Sequence, residues 1–155
     1  MQRFNFLAPS FEMDPEDPPG YRAGAVRIGP VVGGDALGAS MYRLPPGESV
    51  CPYHYEIGEE EWLFVIKGDP VVRTPAGDET LAPGDVVCFR EGPDGAHKVT
   101  GGTEEAQIII VSSVTTPAVA VYPDSDKIGV FTKFGADRRH LFRRSADVDY
   151  YDGET

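Results

Sequence analysis

Between Tyr21 and Phe134 the apolar residues come in short runs, and each run is cut off by a turn signal. The signals are Pro45-Pro46-Gly47, Lys67-Gly68-Asp69, Pro75-Ala76-Gly77-Asp78, Ala82-Pro83-Gly84-Asp85, Pro93-Asp94-Gly95 and Gly101-Gly102. Glycine reaches backbone conformations closed to other residues and proline lacks an amide donor, so both interrupt regular structure. Turns about 8–12 residues apart suit an all-β sandwich or barrel. The runs predict strands over 39–44, 61–66, 86–89, 106–111 and 118–122. No segment carries a helical period bounded by caps, and no longer repeat or low-complexity tract is present.

The two ends read differently. Residues 1–20 predict an extended arm, because Asp14-Pro15-Glu16-Asp17-Pro18-Pro19-Gly20 cannot form a regular helix. Phe4, Phe6, Leu7 and Phe11 are too apolar for a free tail and are expected to pack on the barrel or on a second subunit. Residues 21–155 form one domain that closes on an acidic tail, Asp147-Val148-Asp149-Tyr150-Tyr151-Asp152-Gly153-Glu154, with the tyrosines as its anchors. A chain of 155 residues suits a single domain with a real core.

Charge narrows the partners. Asp and Glu number 25 against 14 Lys and Arg, a net charge of −11. Phosphate backbones need a basic surface, so nucleic acid is excluded as a main partner, and anionic membranes are disfavoured likewise. The basic run Arg138-Arg139-His140-Leu141-Phe142-Arg143-Arg144 opposes this trend and is read as a solvated strand or tail that pairs with carboxylates. No apolar run reaches membrane-span length. The apolar part of the N-terminus is too short for a signal peptide and is broken by Pro9, so a cytoplasmic protein is expected. The two cysteines, Cys51 and Cys88, do not make a disulfide framework and are expected reduced. Cys51 precedes His54 by three residues, an odd offset that on a regular strand turns it away from His54.

Candidate chemistry concentrates in Pro52-Tyr53-His54-Tyr55-Glu56-Ile57-Gly58-Glu59-Glu60-Glu61-Trp62. His54 and Glu56 are two apart, so a strand projects both to one face. Glu61 lies at an odd offset from Glu56 and shares their face only if the chain changes direction, for which Gly58 supplies the place. His97 follows a Pro-Asp-Gly turn on a separate strand. His54, Glu56, Glu61 and His97 could therefore converge inside a barrel. Glu56 is a metal ligand, or a base beside the metal, or faces a water. Glu59 and Glu60 are read as solvated, and Trp62 and Phe64 as core.

The spacing resembles the two motifs of the cupin superfamily. Six residues separate Glu61 from Gly68, Pro83-Gly84-Asp85 is similar to the turn leading into the second motif, and Pro93-Asp94-Gly95-Ala96-His97 is similar to that motif's core. The motif-bearing part spans about residues 40–112. The looser resemblance of Val121-Tyr122-Pro123-Asp124-Ser125-Asp126-Lys127 and the tail is to small single-domain bacterial cupins of unassigned activity. The chain departs from the pattern in four places. Glu56 stands where the first motif has its second His. Six residues rather than five separate Gly47 from His54. Only Ala96 separates Gly95 from His97, and Gly101 replaces an Asn.

The resemblance implies a double-stranded β-helix, a jelly-roll barrel, with a divalent transition metal inside and often a homodimer. A carboxylate in place of imidazole favours Fe or Mn, with Zn or Ni as alternatives. Two classes of function stand open. One is a metal-dependent enzyme on a small molecule, of oxygenase or isomerase type, with Glu56 as the proton-moving group. The other is a non-catalytic cupin that binds or senses a small ligand. The pattern is also similar to that of 2-oxoglutarate oxygenases, but the strand over 106–111 lacks the basic residue they need for the cosubstrate.

Overall fold

The structure is a computed structural model and describes residues 1–132 and 139–154. It is all-β apart from short helical turns. In chain order its elements are β1 (Gly24–Arg27), α1 (Ile28–Val32), β2 (Leu37–Leu44), β3 (Tyr55–Ile57), β4 (Glu61–Lys67), β5 (Val71–Thr74), β6 (Gly77–Thr80), β7 (Val86–Phe89), β8 (Lys98–Thr100), β9 (Ala106–Ser113), β10 (Ala118–Tyr122), β11 (Lys127–Phe131) and β12 (Arg139–Arg143). A five-stranded sheet runs β1-β2-β9-β4-β7, a four-stranded sheet β12-β11-β10-β3 and a three-stranded sheet β6-β5-β8. The architecture is a double-stranded β-helix.

Strand alternation decides what faces inward. On β4, Leu63 and Val65 are buried while Trp62 is 45% exposed. The period of two puts Glu61 on the same inner face as Leu63. β9 pairs with β4 so that Leu63 faces Ile110 and Glu61 faces Ser112. Leu44, Leu63, Val65, Val72, Phe89 and Ile108 lead the apolar core, which joins the five-stranded sheet to the three-stranded one. Each such side chain contributes roughly 1.5–3 kcal/mol by leaving water.

The predicted strands all form, and β2, β4 and β9 run a residue or more beyond the predicted ends. Four expectations are corrected. Ile28–Val32 is a helix, too short for any period to show, and Gly33 ends it with φ 76°. Trp62 is not core: it stands on the outer face of β4 and stacks on Phe64 at 6.5 Å. Tyr150 and Tyr151 do not anchor the tail; they are exposed and pack on each other at 4.8 Å. Within the arm, Phe11 carries the packing: Glu12 pairs with Ala25 of β1 and Arg43 lies over the Phe11 ring at 5.5 Å, while Phe6 and Leu7 stay exposed. The basic run forms exposed strand β12 beside β11 from Arg139 on; Arg138 lies outside the described residues.

Candidate metal centre

The two histidines come together through their backbones. The amide of His54 donates to the carbonyl of His97 at 3.0 Å and the amide of His97 donates back at 2.8 Å. A pair that exchanges both bonds projects its side chains to one face. The ring centroids accordingly lie 4.7 Å apart. The segment that carries His54 is bent rather than extended over Cys51–Tyr53, and Pro52 supplies the bend.

Glu61 reaches the pair from the start of β4. Between β3 and β4 the chain turns at Gly58, whose φ of 82° belongs to the left-handed region. The Glu61 carboxylate then lies 3.2 Å from His97 Nε2 and 3.9 Å from His54 Nε2. One ligand-type atom from each of His54, Glu61 and His97 falls within 4.8 Å of the others. Glu56 lies beside this trio, with Oε1 3.5 Å from His54 Nε2. All four predicted residues line one cavity of about 340 Å³.

Both rings are oriented for coordination. His54 Nδ1 sits 3.0 Å from the Pro52 carbonyl and His97 Nδ1 sits 3.0 Å from the Gly95 carbonyl. A carbonyl only accepts, so each Nδ1 carries a hydrogen, and Nε2 is the ring nitrogen turned toward Glu61 and open to a metal once it holds no proton. Phe89 stacks on His97 at 3.7 Å and nearly parallel, which fixes the second ring further. Gly95 lets the chain pass here, since a Cβ at that position would overlap the Arg90 carbonyl oxygen.

Electrostatics favours an ionised carboxylate at Glu61. Burial, with His97 adding to it, lowers the His54 pKa. Burial alone would raise that of Glu61, but the hydrogen bond and charge of His97, and then His54, outweigh it and hold the carboxyl below its usual range. Glu56 moves the other way: burial, then Glu61 and Glu59, push it up to about 8. Two imidazoles and one carboxylate with open positions form a donor set that fits a divalent transition metal.

Two residues near the trio stand otherwise than expected. Cys51 does not turn away: its sulfur lies 3.5 Å from His54 Nδ1 and lines the cavity. The parity argument fails because Pro52 breaks the strand between them. Burial, with Glu61 and Glu56, pushes the thiol well above its ordinary value, so it stays protonated. Glu59 is not simply solvated: it lines the cavity and its Oε1 accepts from the Thr115 hydroxyl at 2.9 Å and from the Thr115 amide. Glu60 stays exposed and accepts from Trp62 Nε1 at 2.7 Å. Tyr122, stacked 5.9 Å from His54, also lines the cavity; it fell within the looser resemblance over residues 121–127 but carried no ligand-type signal. No helix among the described residues is long and apolar enough to cross a membrane.

Residues 40–112 match the family model for a cupin domain. Among solved structures, a protein named as a sugar phosphate isomerase from a cupin superfamily, from Silicibacter pomeroyi, is 21% identical over 97% of this chain and 98% of its own, with a TM-score of 0.80. The polyketide cyclase RemF from Streptomyces resistomycificus is 18% identical over 89% of each chain, with a TM-score of 0.60. KdgF from Halomonas sp. is 18% identical over 71% of this chain and 92% of its own, with a TM-score of 0.55. At these identities the likeness shows the fold alone. No curated protein matches the sequence.

Proposed function

On the premise that residues 40–112 are a cupin domain, we propose that this chain is a metal-dependent enzyme of isomerase type acting on a small molecule. His54, Glu61 and His97 hold a divalent transition metal, Fe or Mn before Zn or Ni. Glu56 moves the proton. The observation that carries this reading is the trio of two buried histidines and half-buried Glu61, with a further carboxylate 3.5 Å from one of the rings, all on one cavity. The metal, when bound, supplies a Lewis acid that polarises a ligand oxygen.

The chain's own residues do the rest. The carbonyls of Pro52 and Gly95 fix the tautomers of the two rings. Glu61 balances charge between them. Glu56 is set to take a proton from a ligand carbon or oxygen and return it nearby, because it lines the cavity next to His54. Tyr42, Ile110 and Phe131 supply the apolar part of the cavity wall. The name of the Silicibacter pomeroyi protein agrees with an isomerase class.

Protein purified without chelator and then exposed to Fe, Mn, Zn and Ni salts should hold about one metal per chain by elemental analysis. Glu61→Gln and His97→Ala should lower that affinity at least about 100-fold while the far-UV spectrum keeps its β-sheet form. A wild-type chain that takes up none of these metals would remove the reading. Substrate-dependent oxygen uptake would move the reaction to the oxygenase class. Metal-free protein that still binds a small molecule would leave a non-catalytic binding module.

A further inference from the structure

The cavity has two kinds of wall. Tyr42, Val50, Val99 and Ile110 belong to the apolar core or pack against it, whereas Ala118, Tyr122 and Phe131 come from hairpin β10–β11. No residue of the four-stranded sheet is part of that core. The hairpin is held along one side, where Val119, Ala120 and Val121 pair with β3, and at its start, where the Thr115 hydroxyl donates to Glu59. An element with no share in the core parts from its neighbours at a lower cost than one that builds it.

At the far end of β10 one side chain bridges the two walls. Arg73 of β5 reaches Asp124, two residues beyond Tyr122, and its two terminal nitrogens donate to the two carboxylate oxygens at 2.6 and 3.0 Å. The same guanidinium lies 4.0 Å from the centre of the Tyr53 ring, and Tyr53 is buried immediately before His54. β5 is rooted in the core through Val72. Among the described residues no other lysine or arginine ion pair joins the four-stranded sheet to another sheet. Neither Arg73 nor Asp124 lines the cavity. Paired donors on paired acceptors fix direction as well as distance, and the ring beneath removes slack from the guanidinium. Arg73 and Asp124 are 43% and 50% exposed, so the pair is weak enough to break and re-form.

We propose that hairpin β10–β11 is a cover that parts from the barrel to admit a ligand, and that Arg73 is the positioning residue that holds it shut. Closure brings Tyr122 and Phe131 onto the cavity. Arg73 sets how far they come by tying Asp124 to the wall that carries His54. The proposal takes the same cavity as the reading above but needs neither a metal nor a reaction there. Cys51 makes the movement measurable, since its thiol lines the cavity and the other cysteine, Cys88, is exposed and can be replaced by serine.

The test labels Cys51 in full-length Cys88→Ser protein with a bulky reagent, fluorescein-5-maleimide, and a small one, methyl methanethiosulfonate. Both attack the thiolate, so the ratio of their rates reads access and not thiol ionisation. Arg73→Gln and Asp124→Asn should each raise the bulky-to-small ratio about threefold or more, and the double variant should go no further than either alone, because one bond is lost in all three. Salt at about 1 M should raise the ratio of the Cys88→Ser parent and leave that of the variants in place. Asp69→Ala, which loosens a turn away from the cover, should leave it unchanged. Ratios unmoved by Arg73→Gln and Asp124→Asn overturn the proposal. So does an equal rise in Asp69→Ala, which would be general loosening, and so does an additive double variant. A parent ratio equal to that of free cysteine would mean that the cavity stands open, and failure of both reagents to reach Cys51 in every variant would mean that nothing parts; each overturns it. Release of Mn into a chelator, where Mn loads, should quicken in the same two variants; a protein that never takes up metal yet shows the labelling pattern sinks the metal reading alone.

Discussion

Glu56 occupies the place where imidazole would complete a three-histidine set, and its carboxyl is pushed up, to about 8, by burial and by Glu61 and Glu59. If it binds the metal, the set holds two anionic oxygens and two imidazoles, enough to neutralise a divalent ion. Carboxylate shifts preference toward Mn and Fe, imidazole toward Zn, Cu and Ni. Glu56→His should therefore raise the Zn-to-Mn ratio in the bound fraction at least about fivefold, measured by competition dialysis of both proteins against one metal mixture. An unchanged ratio would assign Glu56 wholly to proton transfer. At this scale the sequence shows His54, Glu61 and His97 because their signals are local: a spacing to Gly68, a turn at Gly58, a Pro-Asp-Gly before His97. It hides Cys51 and Glu59 because both depend on where a bent chain points. Pro52 reverses the parity of one, and Thr115, far away in sequence, draws in the other.

Asp69 ties the turn between β4 and β5 to the turn before β9. Its carboxylate accepts from the Thr103 hydroxyl at 2.6 Å and amide at 3.0 Å, and from the Glu104 amide at 2.9 Å. These bonds, the Thr103 hydroxyl first, lower its pKa from 3.8 to about 2. A folded pKa below the unfolded one means that the stabilisation is present above 3.8 and lost as pH falls toward 2. Asp69→Ala should lower the urea midpoint at pH 7, and the gap between variant and wild type should close by about pH 2. A gap that persists there would mean that the loss is packing and not charge. Strand placement was readable in sequence because turn chemistry punctuates it on both sides. Helix α1 was not, since five residues hold little more than one turn. The place of β12 beside β11 was equally closed to inspection, because pairing partners leave no mark in a single run of residues.

Across the whole molecule the uncovered apolar surface is extensive. Leu7 is 77% exposed, Leu37 58%, Val86 50%, and Phe6 and Trp62 45% each. The arm is used within the chain through Phe11 and Glu12, while Phe6 and Leu7 stay exposed and are left to meet something else. We expect a homodimer in solution, one that a chain starting at Gly20 forms less readily. Light scattering on both lengths checks this, and a monomer in both would sink it. Fold class was legible at this scale because the turn spacing covers most of the chain; assembly was not, because surface that meets a partner looks in sequence like surface that meets its own core. One small feature carries further than its size. The mutual backbone bonds of His54 and His97 make each amide proton the other's guard. Solvent cannot reach one without parting the two strands, so deuterium should enter both positions at a shared rate. Anything that clamps the rings from inside should slow the pair together, giving the protein a built-in clock for occupancy that needs no knowledge of the reaction.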